Sequence, residues 1–596
     1  MDAEKRLNAL RAEMAARHID GYLITSDDFH GSEYVGAYFM ARAYLSGFTG
    51  SAGTLAVLPD RAALWTDGRY FLQAEQQLAG SGIDLMRAGE KGTPTVACYL
   101  REHLPSGGTL GFDGRCVSHA FVNNLRRGLE GTGIGFETAE DLVGVIWRDR
   151  PPLPQHPIWE LPAADAGETR KEKLARVRRA KADAGADSLV LTALDDIAWL
   201  LNLRGGDVAC TPVFLSFMLV TQADATLCVQ RDALGDDIFA ALCGAGVTVA
   251  PYEEIYRLIG RLPTGSHLLL DGRTASRRIF DSIPTGVSVI DRPSVVARMK
   301  ACKTPAEQRN MRMAHHKDGI ALTRFLYWLK HRGEDRITEL DAAAALERLR
   351  AEQPGYLGSS FEPIVAYGAH AAIVHYAPTE QSNAVLGRRG FCLLDTGGHY
   401  REGTTDVTRT VALGPLTEQE KQIYTLVLRG HLALGAAHFP HGICGEDLDC
   451  LARAPLWEKG LDYAHGTGHG VGYLLSVHEE PQRITRRRAG AVGATPLEEG
   501  MVLSDEPGFY AAGQFGVRLE NLMMVCRDSA EEPSYLHFEM LTAAPFDPDA
   551  ILPEQMSDRE LAWLNAYHEW VFRTLSPHLP TEEAAWLRCV TSPLSK

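Results

Sequence analysis

Cysteine is scarce in this sequence and poorly placed for chemistry. Eleven cysteines are scattered singly through 596 residues, an odd number with no CxxC pair. That excludes a disulfide framework and a zinc–thiolate site as organising principles. It fits reduced thiols in a cytoplasmic protein. Long apolar runs are also missing. None approaches the ~20 residues of a membrane span. The opening stretch, MDAEKRLNALRAEMAARHIDGYLI, is broken by charge every few residues and lacks the apolar core of a secretory signal. No long low-complexity segment occurs. Positive charge is in deficit: 60 Lys and Arg against 76 Asp and Glu leave a net −16. This balance argues against nonspecific nucleic-acid binding and favours solubility.

What remains is the composition of a globular protein, 45% apolar and 23% charged. The length is too great for one core and suggests three or four domains. The first segment opens on an amphipathic helix, with Leu7, Leu10 and Met14 at spacings of three and four. DGYLITS reads as a buried strand. YLSGFTG and TLAVLPDRAALWTDGRYF read as strands joined by tight turns. WRDRPPLPQHP, near residue 150, is a proline-rich linker. Beyond it the pattern starts again: a helix, KEKLARVRRAKADAGA, then DSLVLTALDDIAWLLNLRG. TDGRYF at Thr66 is echoed by LDGRTA at Leu270, so a duplicated α/β domain is expected. The first copy would carry an extra segment, FHGSEYVGAYFM.

A second boundary is expected near DRPSVVARMKACKTPAEQ, followed by a long helix, AEQRNMRMAHHKDGIALTRFLYWLKH. The last ~55 residues read as helical and tryptophan-rich. There Trp563 and Trp570 sit seven apart on one helical face, a core-packing pattern. The expected domains are 1–152, 153–298, 299–540 and 541–596.

The chemistry gathers in the third of these. FCLLDT is an apolar strand ending at Asp395, GGHYREG is turn-like, and TTDVTRTVAL alternates with Thr404, Asp406, Thr408 and Thr410 on one face. A hairpin would bring Asp395 and Asp406 side by side. Two such carboxylates repel, and one would tend to stay protonated unless a cation joins them; two Asp on a hairpin taken alone are more often solvated. Hard oxygen ligands suit manganese, magnesium or calcium, and added imidazole widens the choice to zinc, cobalt or iron. HGTGHGVG supplies His465 and His469 among glycines, SVHEEP supplies His478, and LSDEPGFY places Glu506 at a strand end. FGVRLENLMMV reads as one strand with Arg518 and Glu520 on the same face, where Arg518 could be the partner of Glu520. Any one of these residues has an ordinary structural explanation. Together, two Asp, one or two His and two Glu at strand ends and glycine turns form a dinuclear metal site.

GTTDVTRT, HGTGHGVG, VHE, SDEPGFY and VRLEN together resemble the pita-bread metallopeptidases, and among them the aminopeptidase P family in its long, three-domain, cytosolic form. The resemblance covers the whole chain. It implies two creatinase-like α/β N-terminal domains, an α+β pita-bread catalytic domain and a helical C-terminal extension. It implies metal ligands at Asp395, Asp406, His469, Glu506 and Glu520, with Asp406 and Glu520 bridging two divalent ions, most often manganese. The nucleophile would be a water shared by the ions, with Glu506 as its proton shuttle. His375 (in AIVHYAP), His478 and His465 would hold the substrate carbonyl and stabilise the oxyanion. Tyr510 and Arg518 match substrate-side or ligand-supporting positions. The implied substrates are peptides with proline second, and a homodimer is expected. Prolidase-type dipeptide cleavage is the alternative activity, and a peptide-binding module without catalysis is another. His370, His399, Glu402 and Glu480 depart from the family's usual residues, and none of them removes a ligand.

Overall fold

The structure is a computed structural model and describes residues 3–333, 335–487, 494–528 and 535–596. The chain forms two compact units, Met1–Ala163 with Glu168–Ala297, and Ala164–Gly167 with Arg298–Lys596. Among the described residues no helix is long and apolar enough to cross a membrane.

The first unit holds two six-stranded sheets of identical topology. The first uses Gly21–Ile24, Thr54–Val57, Ala62–Thr66, Asp84–Arg87, Thr109–Gly111 and Gly135–Glu137; in space they lie fourth, third, second, first, fifth, sixth. The second uses Ser188–Leu191, Ser216–Thr221, Ala225–Val229, Val247–Pro251, His267–Leu270 and Ser288–Asp291 in the same order. In both sheets the second strand runs antiparallel to its neighbours and the other pairs are parallel. The copies also meet reciprocally. Ser118 bridges Ser276; His119 N donates to Ala275 O at 2.9 Å, and Arg277 N returns a bond to Val117 O at 2.8 Å. Ala120 N reaches Gly272 O, and Arg278 N reaches Gly114 O, both at 2.8 Å. Each residue of one copy does to the other what its counterpart does in return. That is the signature of a pseudo-two-fold axis and of a duplicated domain.

Two local readings change. YLSGFTG is not a strand: Ala41–Ser46 is a short helix, stopped by Gly47 in the left-handed region at φ 77°. The counterpart of LDGRTA is not TDGRYF but FDGRCV at Phe112, which likewise follows the fifth strand. All three DGR turns share one local device. The Asp side chain accepts from the backbone N–H of the Arg two residues on, at 3.1 Å for Asp67, 2.9 Å for Asp113 and 3.0 Å for Asp271. A recurrent turn therefore mimicked the duplication at the wrong place. The extra segment of the first copy is present: residues 25–40 separate its first strand from the helix, where the second copy has Thr192 and Ala193 alone.

The second unit repeats a simpler plan, two helices and then antiparallel strands. Pro305–Lys330 and Glu339–Ala351 precede a sheet of Ile364–Tyr367, Phe391–Thr396 and Val407–Ala412. Glu418–Gly435 and Gly445–Trp457 precede a sheet that includes Gly468–Gly470, Glu479–Ile484, Val502–Asp505 and Asn521–Arg527. Capping boxes start the long helices, Thr304 with Glu307 and Thr417 with Glu420. The stretch between the two aspartates is not merely a turn. Gly398–Tyr400 and Gly403–Thr404 form a hairpin that pairs with Tyr356–Ser359.

The C-terminal helix Asp558–Leu575 buries Leu561, Leu564, His568, Val571 and Leu575. Trp563 packs against the core, whereas Trp570 lies on the rim of that stripe and is 36% exposed. Arg409 ties this helix to the sheet. Its buried guanidinium donates to Pro545 O at 3.0 Å, Glu520 O at 2.7 Å, Asn521 Oδ1 and Ala544 O at 2.8 Å, and Tyr567 OH at 3.1 Å. Hydrogen bonds from a charged donor contribute about 1.5–3 kcal/mol each, and the acceptors left behind would be buried. Arg409→Met is therefore expected to lower the thermal unfolding midpoint by roughly 5–10 °C. A thermal scan in which the variant melts with the parent would contradict this reading of Arg409.

Candidate active site

The two halves of the second unit each present acids at strand ends. Asp395 lies on Phe391–Thr396, opposite Thr408 in the antiparallel register, and Asp406 immediately precedes Val407–Ala412. From the other half come His469 on Gly468–Gly470 and Glu506 just after Val502–Asp505. Glu520 sits where the expected single strand is broken in two. Phe515–Arg518 pairs with Gly508–Ala511, while Asn521–Arg527 joins the larger sheet. The break turns Glu520 towards the first half, where its N–H donates to Thr408 O at 3.1 Å and its Oε2 accepts from Thr408 Oγ1 at 2.8 Å.

Ligand-capable atoms of Asp406, His469 and Glu520 all lie within 4.8 Å of one another. His469 Nε2 is 3.5 Å from Asp406 Oδ2 and 3.6 Å from Glu506 Oε1. His469 Nδ1 meets the Gly470 carbonyl at 3.0 Å. A carbonyl only accepts, so Nδ1 carries a proton, and Nε2 is the nitrogen that faces the carboxylates. The flanking glycines are needed here. A Cβ at Gly468 would stand 2.0 Å from Ser504 O, and one at Gly470 2.3 Å from Glu479 O.

Asp395, Asp406 and Glu520 are buried, while the side chains of His469 and Glu506 keep 19% and 20% exposure. Burial pushes the carboxyl pKa of Asp406 well above the ordinary range, with the charges of Asp395 and Glu506 adding to it. Burial and the neighbouring Glu520 raise Glu506, and burial with Asp406 and Asp395 raises Glu520. Asp395 Oδ1, Asp406 Oδ1 and Glu520 Oε1 are buried with no hydrogen-bond partner. Orphaned carboxylate oxygens beside an imidazole nitrogen fit divalent cations of the hard-to-borderline kind.

Arg518 does not pair with Glu520. Its Nη2 donates to Asp395 Oδ2 at 2.6 Å and its Nη1 to Tyr510 OH at 2.7 Å. Tyr510 OH lies 2.9 Å from His465 Nε2, and His465 Nδ1 meets the Gly466 carbonyl at 2.7 Å. The directions are therefore fixed: Arg518 donates to Tyr510, and Tyr510 donates to His465. Burial pushes the Tyr510 phenol up to about 12, so it keeps the proton it donates. Arg518 itself is 1% exposed. It is buried against a candidate ligand, which favours its ligand-supporting role over the substrate-side one.

His478 packs edge-on against His469, ring centres 4.3 Å apart. His375 follows the short helix Gly368–Ala372, which packs on Phe515–Arg518. The departures have structural partners. His370 bonds Glu339 at 2.9 Å, His399 meets Thr404 Oγ1 at 3.1 Å, and Glu402 pairs with Lys317 at 2.7 Å, while Glu480 is exposed.

Several supporting residues escaped the sequence reading. Arg453, 1% exposed, donates to Asp449 Oδ2, Asp462 Oδ1, Tyr463 O and His465 O, each at 2.8 Å. Asp449 in turn accepts from Thr467 Oγ1 at 2.5 Å. This network fixes the glycine-rich loop two residues from His469. Its sequence signal was an Asp–Arg pair at i, i+4, indistinguishable from a surface pair. Lys303 and Glu479 form a second buried ion pair, beside His478.

Asp406→Asn is expected to bind fewer metal ions than the parent and to lose turnover while keeping its fold. Arg518→Met leaves the ligand set intact but frees Asp395 to rotate. Its metal affinity or activity is expected to fall about 10–100-fold, as for other residues that orient ligands. Metal titration and circular dichroism on both variants check this. Parent-level activity in Asp406→Asn with full metal content would contradict it.

The chain matches family models along its length. The Creatinase/Prolidase N-terminal domain matches at residues 6–150 and again, in a second form, at 149–307; Metallopeptidase family M24 matches at 309–527, and the C-terminal region of peptidase M24 at 534–594. It is 39% identical to Aminopeptidase P2 of Arabidopsis thaliana, over 97% of this chain and 86% of that one. It is 37% identical to a probable Xaa-Pro aminopeptidase P of Colletotrichum graminicola, over the whole of both. Among solved structures, X-prolyl aminopeptidase from Caenorhabditis elegans, described as a cytosolic enzyme with a di-nuclear active site, superposes with TM-score 0.94 at 34% identity, covering 100% of both chains. The Xaa-Pro dipeptidase from Bacillus anthracis covers 64% of this chain and 100% of its own, with TM-score 0.52 and 25% identity. With its duplicated N-terminal domain, its acid-lined site and full-length relatives of this kind, the chain belongs to metallopeptidase family M24.

Proposed function

We propose that this protein is an Xaa-Pro aminopeptidase, releasing the first residue of peptides whose second residue is proline. The observation that carries the reading is the cluster of buried, partnerless carboxylate oxygens around His469. Full-length similarity to aminopeptidase P relatives selects this activity over dipeptide cleavage. Asp395, Asp406, His469, Glu506 and Glu520 would hold two divalent ions, with manganese our assignment. Such ions would polarise the scissile carbonyl and acidify a water.

The protein's own groups do the rest. The acidic cleft attracts the substrate's free ammonium. A prolyl peptide bond has no N–H to offer, so recognition must act through the carbonyl and the ring. His375 and His478 would donate to the carbonyl oxygen as it gains charge; the expected contact of His465 with that carbonyl is not kept, because Gly466 and Tyr510 engage its two ring nitrogens, and it would act as a support for Tyr510. Glu506, on the open side of the cluster, would take the proton of the attacking water and pass it to the prolyl nitrogen as the C–N bond breaks. A cytoplasmic homodimer is part of the proposal, supported by the C. elegans enzyme's description as cytosolic and by the resemblance for the dimer.

The test is product analysis by mass spectrometry with the manganese-loaded chain. The expected result is loss of one residue from an Xaa-Pro-Pro peptide, no cleavage of the same peptide with alanine second or of an Xaa-Pro dipeptide, and no activity after metal stripping. Cleavage of the dipeptide alone would make it a dipeptidase. No cleavage with any metal would leave a binding role.

A further inference from the structure

One buried acid outside the metal cluster is bound more completely than a helix cap requires. Glu339 opens the helix Glu339–Ala351 and its side chain is fully buried. Its Oε1 accepts from Tyr367 N at 2.8 Å and His370 Nδ1 at 2.9 Å. Its Oε2 accepts from Tyr376 OH at 2.9 Å and Ala384 N at 2.9 Å. A carboxylate offers about four lone-pair sites, and all are filled.

The four donors have a pattern. Tyr367 and His370 precede His375, and Tyr376 and Ala384 follow it. The segment between Ile364–Tyr367 and Phe391–Thr396 contains no strand, and its single helical element is the short turn Gly368–Ala372. One antiparallel bridge, Thr338 to Val385, holds its far arm, with Glu339 N on Ala384 O and Leu386 N on Ile337 O, both at 2.9 Å; the Glu339 side chain adds the tie between the two arms. It clamps both arms of the loop whose middle carries His375. The clamp reaches the residue next to His375 directly, through the Tyr376 hydroxyl. That hydroxyl also bonds Ser382 O at 3.1 Å. The His370 ring stacks on the Tyr376 ring, centres 4.5 Å apart and planes 27° from parallel. A carboxylate accepts only, so His370 Nδ1 carries the proton in this bond. Two further turns lock the backbone, Ile373 N on His370 O at 3.0 Å and Tyr376 N on Ile373 O at 3.1 Å.

We propose that Glu339 and His370 are positioning residues, a buried anionic staple that sets His375 at the substrate carbonyl. The inference rests on the reading of His375 given above. Catalytic hydrogen bonds tolerate little error, and a misplacement of about 1 Å can cost a hundredfold in rate. The backbone donors would persist without His370, so the loop would stay folded but lose the ring that holds Tyr376.

The test compares His370→Ala, His370→Gln, which keeps a side-chain N–H donor, and His375→Ala, all manganese-loaded, on an Xaa-Pro-Pro peptide. The expected result for His370→Ala is a kcat lowered roughly 10–100-fold, with KM, metal content and unfolding midpoint close to the parent. His370→Gln should recover most of that loss. Glu339→Gln, which turns an amide N–H2 on two of the four donors, should lower kcat further. Parent-level kcat in His370→Ala, with His375→Ala impaired, would overturn the staple and leave His375 its role. Parent-level kcat in His375→Ala would overturn both. A lowered midpoint with kcat unchanged would make Glu339 and His370 structural residues only.

Discussion

The catalytic unit is organised around charge repulsion. Four carboxylates, those of Asp395, Asp406, Glu506 and Glu520, converge beside the Arg518 guanidinium. Unit charges 4 Å apart interact by about 4 kcal/mol at an effective dielectric of 20, so the acids oppose their own assembly. The rest of the unit holds them there. The break between two strands aims Glu520 across the halves, and Arg409 grips the backbone at that break. Glycines bring the His469 strand against its neighbours, and Arg453 anchors the loop before it. The rigidity suits cation binding, since the acids so held either keep a proton or share a positive ion.

The cluster of acids around His469 was legible in the sequence because its signals are local. An aspartate that ends an apolar strand and a histidine between glycines announce themselves within ten residues. What could not be read was contact across long separations. Arg518 stood two residues from Glu520 and looked like its partner, yet it reaches 123 positions back to Asp395. The strand carrying both residues breaks between them, and periodicity gave no warning of that. Glu339 carries no distinguishing local signal, because an acid in a first helical turn and a buried staple have the same local sequence. YLSGFTG went wrong because its aromatic and apolar residues favour strand, whereas the left-handed glycine at 47 closes a helix.

The front half teaches a related lesson. Duplication was legible from landmarks that recur in order, but one landmark was matched out of register. The DGR turn occurs three times because its Asp-to-backbone bond solves the same local problem each time. Reciprocal hydrogen bonds around Ser118 and Ser276 give the true correspondence. Similar turns report similar local geometry, and only the sheet order reports common architecture.

The central claim is that positive charge completes the acid cluster, and anomalous diffraction from manganese-loaded crystals tests it most directly. The account predicts two anomalous peaks per chain, both enclosed by Asp395, Asp406, His469, Glu506 and Glu520. A single peak, or peaks bound elsewhere while the five side chains stay unligated, would contradict it.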